Sequence, residues 1–230
     1  MLVRSRTVPC AVLWPAAQVV AGALVNALRS MPRSASVLEL GAGTGLCSIA
    51  AAASGAANQV LATDYRREPL SLLETSARRT GELCAAEFRL RTELFDITDG
   101  ARALPHVGGD APLIVCAADL LYMRSTSVAL AARCVEALRR PDVELVLIGD
   151  LGRPGRAAFL SELQAHGVPK ERACFETVEG WGAPAPRHEL ISSPTVTSGH
   201  TGGSHQEQQP QEPPRVQVGL LALKPSDLHG

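Results

Sequence analysis

A glycine-rich stretch and an acidic residue after it carry the clearest chemical pattern in this sequence. Gly41, Gly43 and Gly45 lie between an apolar segment that predicts a strand and an alanine-rich segment that predicts a helix. Glycines at such a turn let a ligand approach the backbone, and the start of the helix offers N–H groups that lack partners. Asp64 ends the next predicted strand about 20 residues later, where a carboxylate can accept hydrogen bonds from both ribose hydroxyls. The pattern indicates a nucleoside-containing ligand.

The spacing of the glycines bears on which nucleoside that ligand contains. The dinucleotide fingerprint G-x-G-x-x-G requires its third small residue at the position of Leu46. A nicotinamide dinucleotide therefore fits this loop less well, although an oxidoreductase stays an alternative. Two structural alternatives also stand, because the glycines could form only a tight turn and Asp64 could only cap the following helix.

Predicted strands and helices alternate along the chain and would position these residues. The strands are predicted at 36–40, 59–64, 87–94, 113–118, 144–150, 174–178 and 216–223, and the helices at 16–28, 46–53, 69–81, 126–138 and 157–166. Most strands are continuous apolar runs, which is typical of a parallel sheet covered by helices on both faces. We therefore predict an α/β fold with a Rossmann-like, doubly wound, mostly parallel seven-stranded sheet and an antiparallel last strand.

The domain organisation follows from length and local composition. A chain of 230 residues is expected to form one domain, over 1–230. Residues at about 189–214 are poor in large apolar side chains and rich in Gly, Gln, Pro, Ser and His, which predicts a disordered insert before the last strand. Such an insert is tolerated most easily in the loop between two antiparallel strands.

Composition and charge exclude several classes of protein. The net charge is −1 and aromatic residues make up 3% of the chain, so neither nucleic acid nor an anionic membrane is an expected partner. The six cysteines include no C-x-x-C spacing, which predicts no metal site and no disulfide framework. Residues 11–28 could pass for a signal peptide or a membrane span. Pro15, Gln18 and Asn26 interrupt them, which favours a helix of a cytoplasmic protein.

Several segments resemble motifs of a known enzyme family. Residues 37–45 resemble motif I of the class I S-adenosylmethionine-dependent methyltransferases, and Asp64 resembles their ribose-binding acid. Residues 14–17, Trp-Pro-Ala-Ala, resemble the segment that leads into the first helix of the seven-strand group called methyltransferase family 16, which includes protein-lysine methyltransferases. Residues 119–122, Asp-Leu-Leu-Tyr, resemble the D-x-x-Y motif of that group.

A further segment resembles a narrower branch of the same group. Residues 148–156, Ile-Gly-Asp-Leu-Gly-Arg-Pro-Gly-Arg, are similar to the segment after the fifth strand in that branch. It contains the electron-transfer-flavoprotein β-subunit lysine methyltransferase and proteins called nicotinamide-methyltransferase-like. The branch usually reads Gly-Asp-Pro-Gly-Arg, and Leu151 replaces the proline here. The short segment before Trp14 and the insert near the C-terminus are also atypical, and both bear on substrate identity.

The resemblance implies S-adenosyl-L-methionine as the cofactor and assigns residues to its site. The predicted cofactor-binding residues are Trp14, Glu39, Gly41, Ala42, Gly43, Asp64, Tyr65, Asp96 and Ala118. Glu39 and the glycines would line the methionine moiety, Asp64 would bind the ribose, and Asp96 would lie at the adenine end. Core packing for Trp14 and surface packing for Tyr65 are the alternatives.

The resemblance also implies two catalytic residues, Asp119 and Tyr122. Both follow the fourth strand, at the edge of the sheet where ligands bind in open α/β proteins. Asp119 is expected to hold the acceptor amine by hydrogen bonding, and Tyr122 to orient it and line its channel. A helix cap for Asp119 and core packing for Tyr122 are the alternatives. A polar cluster at the same edge is expected to bind substrate carboxylates or to cap the next helix; its members are Asp150, Arg153 and Arg156.

The resemblance thus implies an N-methyltransferase that uses S-adenosylmethionine, and lysine side chains of a protein substrate are the expected acceptor. A small amine such as nicotinamide is the alternative acceptor. A non-catalytic methyltransferase fold that binds cofactor or a partner protein is a further alternative. The protein is expected to act as a monomer.

Overall fold

The computed structural model describes residues 13–84, 87–181 and 215–228 of the chain. Helices and strands alternate through these residues. The helices are α1 (Pro15–Ser30), α2 (Leu46–Ala53), α3 (Arg67–Leu83), α4 (Arg124–Leu138) and α5 (Arg156–Ala165). The strands are β1 (Ala35–Leu40), β2 (Ala57–Asp64), β3 (Leu90–Leu94), β4 (Leu113–Ala118), β5 (Val143–Asp150), β6 (Glu176–Trp181) and β7 (Arg215–Leu223). A 3-10 helix at Pro225–Leu228 follows the last strand.

The strands form one seven-stranded sheet in the order β3-β2-β1-β4-β5-β7-β6. The pairs from β3 to β5 are parallel, and β7 is antiparallel to both of its neighbours. The predicted fold, a mostly parallel doubly wound sheet with an antiparallel last strand, is therefore confirmed. The strand order reverses between β1 and β4, and a crevice for ligands opens at the carboxyl ends of strands on either side of such a point.

Helices cover both faces of this sheet, and alternate residues of β1 point to the two faces. Leu38 and Leu40 pack in a buried cluster with α4 and α5, whereas Val37 packs in a second cluster with α1 and α2. A third, smaller cluster joins α3 to β2 and to the glycine-rich loop. The described helices include none that is long and apolar enough to cross a membrane.

The strands β3 and β6 differ most from their predicted bounds. The strand β3 begins at Leu90 rather than at residue 87, because Phe88 packs its ring against the close-packed Gly81 of α3. The strand β6 spans Glu176–Trp181 rather than 174–178, because Phe175 turns toward Phe159 of α5, with ring centres 6.1 Å apart. The predicted insert at 189–214 lies outside the described residues. The single domain over 1–230 stays a prediction.

Candidate functional site

A cavity of about 600 Å³ lies at the carboxyl ends of the central strands, lined by the loops after β1 to β5 and by the start of α1. All eleven residues that the sequence predicts for the site line this cavity: Trp14, Glu39, Gly41, Ala42, Gly43, Asp64, Tyr65, Asp96, Ala118, Asp119 and Tyr122. The fold thus brings together residues from five separate segments. Their individual roles in binding and catalysis stay predictions.

The glycine-rich loop after β1 adopts a conformation that side chains disfavour. Gly41, Gly43 and Gly45 have φ values of 64°, 53° and 75°, all in the left-handed region. A Cβ atom at Gly41 would lie 2.7 Å from side-chain carbons of Leu120, which follows β4. At Gly45, the space that a Cβ atom would need is filled by Leu73 of α3. Gly45 therefore serves helix packing, while Gly41 and Gly43 line the cavity.

Glu39 is buried in β1 just before this loop and joins the strand to the first turn of α2. The Ser48 backbone N–H and hydroxyl both donate to Oε2 of Glu39, at 2.9 and 2.5 Å. Burial raises the pKa of Glu39, and the hydrogen bonds from Ser48 oppose that rise. A carboxylate at the N-terminus of a helix also interacts favourably with the helix dipole. Glu39 therefore joins β1 to α2 while it lines the cavity.

Asp64 links the tip of β2 to the glycine-rich loop. The backbone N–H of Gly43 donates to one carboxylate oxygen at 3.1 Å, and the N–H of Arg66 donates to the other at 3.0 Å. Burial raises the pKa of Asp64, and these hydrogen bonds oppose the rise. Arg66, not Asp64, is the N-cap of α3, so the helix-cap alternative for Asp64 is wrong. A carboxylate oxygen accepts two hydrogen bonds, so each oxygen keeps capacity for a ribose hydroxyl.

The loop after β3 forms the cavity wall at the predicted adenine end. Asp96 closes a turn in this loop by accepting the backbone N–H and the hydroxyl of Thr98, at 2.8 and 2.7 Å. Phe95 and Ile97 are buried and line the cavity beside it. Phe95, Ile97 and Thr98 were not among the site residues predicted from the sequence. Their position directly after a predicted parallel strand was the available signal.

Arg133, buried in the middle of α4, holds this wall from behind. Its Nε donates to the carbonyl of Ile97 at 3.0 Å, and its guanidinium also donates to the carbonyl of Asp99. The same group pairs with Glu136 at 2.6 Å and lies 5.2 Å from the centre of the Phe95 ring. No local sequence pattern predicts the support of this loop, because the two carbonyls that Arg133 binds lie more than 30 positions away in the chain.

Asp119 occupies an unusual backbone position at the end of β4. Among the described residues it is the only non-glycine residue with a positive φ, 58°. Its backbone N–H donates to the carbonyl of Gly149 at 2.8 Å, and its two carboxylate oxygens accept from Arg153 at 2.8 and 2.5 Å. The N-cap of α4 is Met123, so the helix-cap alternative for Asp119 is wrong. A strained residue that is held from two sides is typical of a functional site.

Three aromatic side chains stand at the mouth of the cavity. Trp14, Tyr65 and Tyr122 are 38%, 60% and 46% exposed, so the core-packing alternatives for Trp14 and Tyr122 are wrong. The Trp14 ring lies 5.1 Å from the Arg153 guanidinium. Partial burial raises the pKa of Tyr122, and nearby Tyr65 and Asp64 add to that rise. Tyr122 is therefore a protonated phenol that can donate a hydrogen bond.

The members of the polar cluster after β5 have different roles: Asp150 and Arg156 stabilise the turn, and Arg153 lines the cavity. Asp150 is fully buried and pairs with Arg156 at 2.6 Å, while it accepts the backbone N–H groups of Gly152 and Arg153. Asp150 therefore closes the turn after β5 and does not reach a substrate. The side chain of Arg153 instead lines the cavity and contacts Asp119. The described residues contain no group of His, Cys, Asp or Glu that could hold a metal ion.

Fold and site together define a Rossmann-like nucleoside-binding protein, because the glycine-rich loop and the acid of the next strand share one crevice. The model of the lysine methyltransferase family matches residues 5–166, and the chain belongs to that family. No curated protein matches the chain.

Solved structures share the fold at low sequence identity. One is a proposed RNA methyltransferase from Pyrococcus horikoshii, 17% identical over 91% of this chain and 81% of that one, with a TM-score of 0.51. Another is a magnesium protoporphyrin IX methyltransferase from Synechocystis with bound S-adenosylmethionine, 15% identical over 90% of this chain and 79% of that one, with a TM-score of 0.50. At such identities the similarity shows the fold alone.

The protein is an S-adenosylmethionine-dependent methyltransferase. Its residues fit the cofactor, since Gly41 and Gly43 line the cavity in a left-handed conformation that side chains disfavour, and Asp64 keeps acceptor capacity for the ribose. The bound cofactor supplies a methyl group activated by a sulfonium. Ala42, just after β1, and Ala118, at the end of β4, are small residues that line the same cavity.

Proposed function

We propose that this protein transfers the methyl group to lysine side chains of a protein substrate. The observation that carries the proposal is the mouth of the cavity, where the large side chains of Trp14, Tyr65, Tyr122 and Met123 are 38–60% exposed. Grouped exposed apolar side chains are typical of a surface that a partner protein or another ligand covers. The match to the lysine methyltransferase family supports the same acceptor.

In this proposal the residues of the chain bind and orient a neutral amine. A free lysine amine has a pKa of about 10.4, so its proton must leave before it attacks. Asp119 then accepts a hydrogen bond from the amine, and Tyr122 lines the channel beside it. Phe95 and Ile97 exclude water from the wall of the cavity. The nitrogen–carbon bond forms as the carbon–sulfur bond breaks, and the extra proton on nitrogen passes to solvent.

Tritiated S-adenosylmethionine in a cell extract tests the acceptor class. Each reaction is divided into acid-soluble, ribonuclease-sensitive and protease-sensitive label, and the protein is hydrolysed to identify the methylated residue. Asp64→Ala serves as the inactive variant. Asp110→Ala is the matched control, because it removes an exposed aspartate outside the cavity lining.

We expect protease-sensitive label, recovered as methyl-lysine, with the wild type and Asp110→Ala but not with Asp64→Ala. Label confined to the acid-soluble fraction would refute the proposal in favour of a small amine. Ribonuclease-sensitive label would refute it in favour of RNA. Binding of S-adenosylhomocysteine without transfer to any fraction would refute it in favour of a non-catalytic fold.

The narrower resemblance of residues 148–156 stays part of this proposal, as do the monomeric state, the cytoplasmic location and the expectation that neither nucleic acid nor membrane is a partner. The electron-transfer-flavoprotein branch would favour an acceptor lysine on a soluble protein. Identification of the labelled band in the extract addresses that finer question.

A further inference from the structure

Arg153 connects three parts of the cavity wall through one guanidinium group. Its Nε and Nη2 atoms donate to both carboxylate oxygens of Asp119, at the end of β4. The same group lies 5.1 Å from the centre of the Trp14 ring, just before α1. A planar guanidinium suits both contacts, because it binds a carboxylate at two points and stacks on an aromatic face.

The Asp119 carboxylate is held so that part of it stays available to a ligand. Its side chain is 3% exposed, and the left-handed backbone at this residue is fixed to Gly149 of β5. Arg153 uses one acceptor position on each oxygen, whereas a carboxylate offers about four positions. Asp119 and Arg153 both line the cavity, so the remaining positions can receive an amine.

Acidic groups outnumber basic groups around this pair. Asp150 and Arg156, at the end of β5, form their own ion pair. Buried Glu39 lies on β1, the strand next to β4. The other titratable groups that line the cavity are Asp64, Tyr65, Arg66, Asp96 and Tyr122. Loss of Arg153 would therefore leave Arg66 as the one cation among the described residues that line the cavity, against four carboxyl groups.

We propose that Arg153 is a positioning residue that cancels the charge of Asp119, so that this carboxylate receives a neutral acceptor amine instead of holding an ammonium ion. The inference rests on the proposed transfer to an amine. An ammonium ion has no lone pair and cannot attack the methyl group. A bare carboxylate within about 4–6 Å favours the charged form of an amine and raises its pKa by about 1–3 units. The paired carboxylate exerts much less of this effect.

The pH dependence of kcat with Arg153→Gln tests this role. At saturating cofactor and acceptor, the acid limb of the plot of kcat against pH reports deprotonation of the bound amine. We expect this limb to move up by about one pH unit, so that kcat at pH 7 falls about tenfold and the deficit narrows as the pH rises. Arg153→Lys keeps the charge but loses the two-point contact, and its limb should stay within about 0.3 units of wild type.

The opposite charge change should move the limb in the opposite direction. Asp119→Asn leaves the Arg153 cation without its partner, and a nearby cation favours the neutral form of an amine. We therefore expect its acid limb below that of the wild type, even though kcat at the plateau falls. Arg124→Gln is the matched control, because it removes a positive charge from an exposed position outside the cavity lining.

Thermal melts and calorimetry with S-adenosylhomocysteine establish that each variant folds and binds. An equal loss of kcat at every pH in Arg153→Gln, with the acid limb in place, would show a merely structural role and refute the inference. Shifts of the same sign in Arg153→Gln and Asp119→Asn would also refute it. Hydrolysis of the labelled product keeps the two proposals distinct. Label on an amine other than lysine refutes the protein-lysine proposal, whereas the acid limb of the pH profile of kcat still tests the role of Arg153.

Discussion

Replacement of Arg133 by methionine tests how α4 supports the cavity. The guanidinium is buried and bonds the carbonyls of Ile97 and Asp99 as well as Glu136. Methionine fills a similar space but donates no hydrogen bonds. Both carbonyls would lose a donor, and Glu136, which also caps the N–H of Leu104, would lose its ion-pair partner.

The expected loss of stability follows from these contacts. Removing one partner of a buried ion pair costs about 3–5 kcal/mol, which overlaps with about 1–3 kcal/mol for each buried carbonyl left without a donor. Glu136 is partly exposed, so we expect about 3 kcal/mol in total. For a chain of this size, that lowers Tm by about 10 °C. The loop from Phe95 to Thr98 also lines the cavity, so we expect S-adenosylhomocysteine to bind about tenfold more weakly.

Urea unfolding and calorimetry measure the two effects. Arg139→Met is the matched control, because this arginine is exposed at the end of the same helix. A double-mutant cycle with Glu136→Gln isolates the part that belongs to the ion pair. If the free energy of unfolding of Arg133→Met lies within about 0.5 kcal/mol of the wild-type value, as for a surface substitution, Arg133 does not support the loop and the reasoning fails.

Three further predictions address the cofactor side of the cavity. Asp64→Asn should raise the Kd for S-adenosylhomocysteine by about 10–100-fold, since hydrogen bonds to a charged group contribute about 1.5–3 kcal/mol. Calorimetry measures this Kd, and an unchanged value would contradict the ribose assignment. Burial raises the pKa of Glu39, so its ionised form opposes folding above that pKa. In urea unfolding, the free energy of unfolding of Glu39→Gln should therefore rise relative to that of the wild type as the pH rises from about 4 to about 8. A difference that falls with pH would contradict the upward pKa shift of Glu39. Gly41→Ala should lower Tm more than Gly109→Ala, because both have a positive φ but only Gly41 meets a side chain, that of Leu120. Equal melting temperatures would show that the close contact has no effect.

Most of the sheet could be predicted because its strands are continuous apolar runs, as at Leu113–Ala118, whose predicted and observed bounds agree. The largest errors in the strand bounds occurred where an aromatic residue beside a strand packs against a helix instead. Phe88 and Phe175 extend the apolar patterns of β3 and β6, yet each turns toward a helix. An apolar pattern in the sequence indicates which residues are buried, but it does not indicate which element packs against them.

The positions of the candidate site residues were also predictable to a large extent. Parallel strands all end at one edge of the sheet, so residues that end β1, β2 and β4 must approach one another once the strand order is known. Glu39, Asp64 and Asp119 reach the same cavity for this reason. What each of them does there stays a prediction until the variants are measured.

The order of strands and helices, the glycine turn after the first strand and the edge at which the chemistry occurs could be predicted from the sequence, because they depend on local periodicity and on the steric freedom of single residues. The pairing of Arg153 with Asp119 and the support of the loop after β3 by Arg133 are visible only in the folded structure. Each of these contacts joins residues more than 30 positions apart. An arginine can reach many partners, and the packing of the elements selects which carboxylate or carbonyl lies within hydrogen-bond distance.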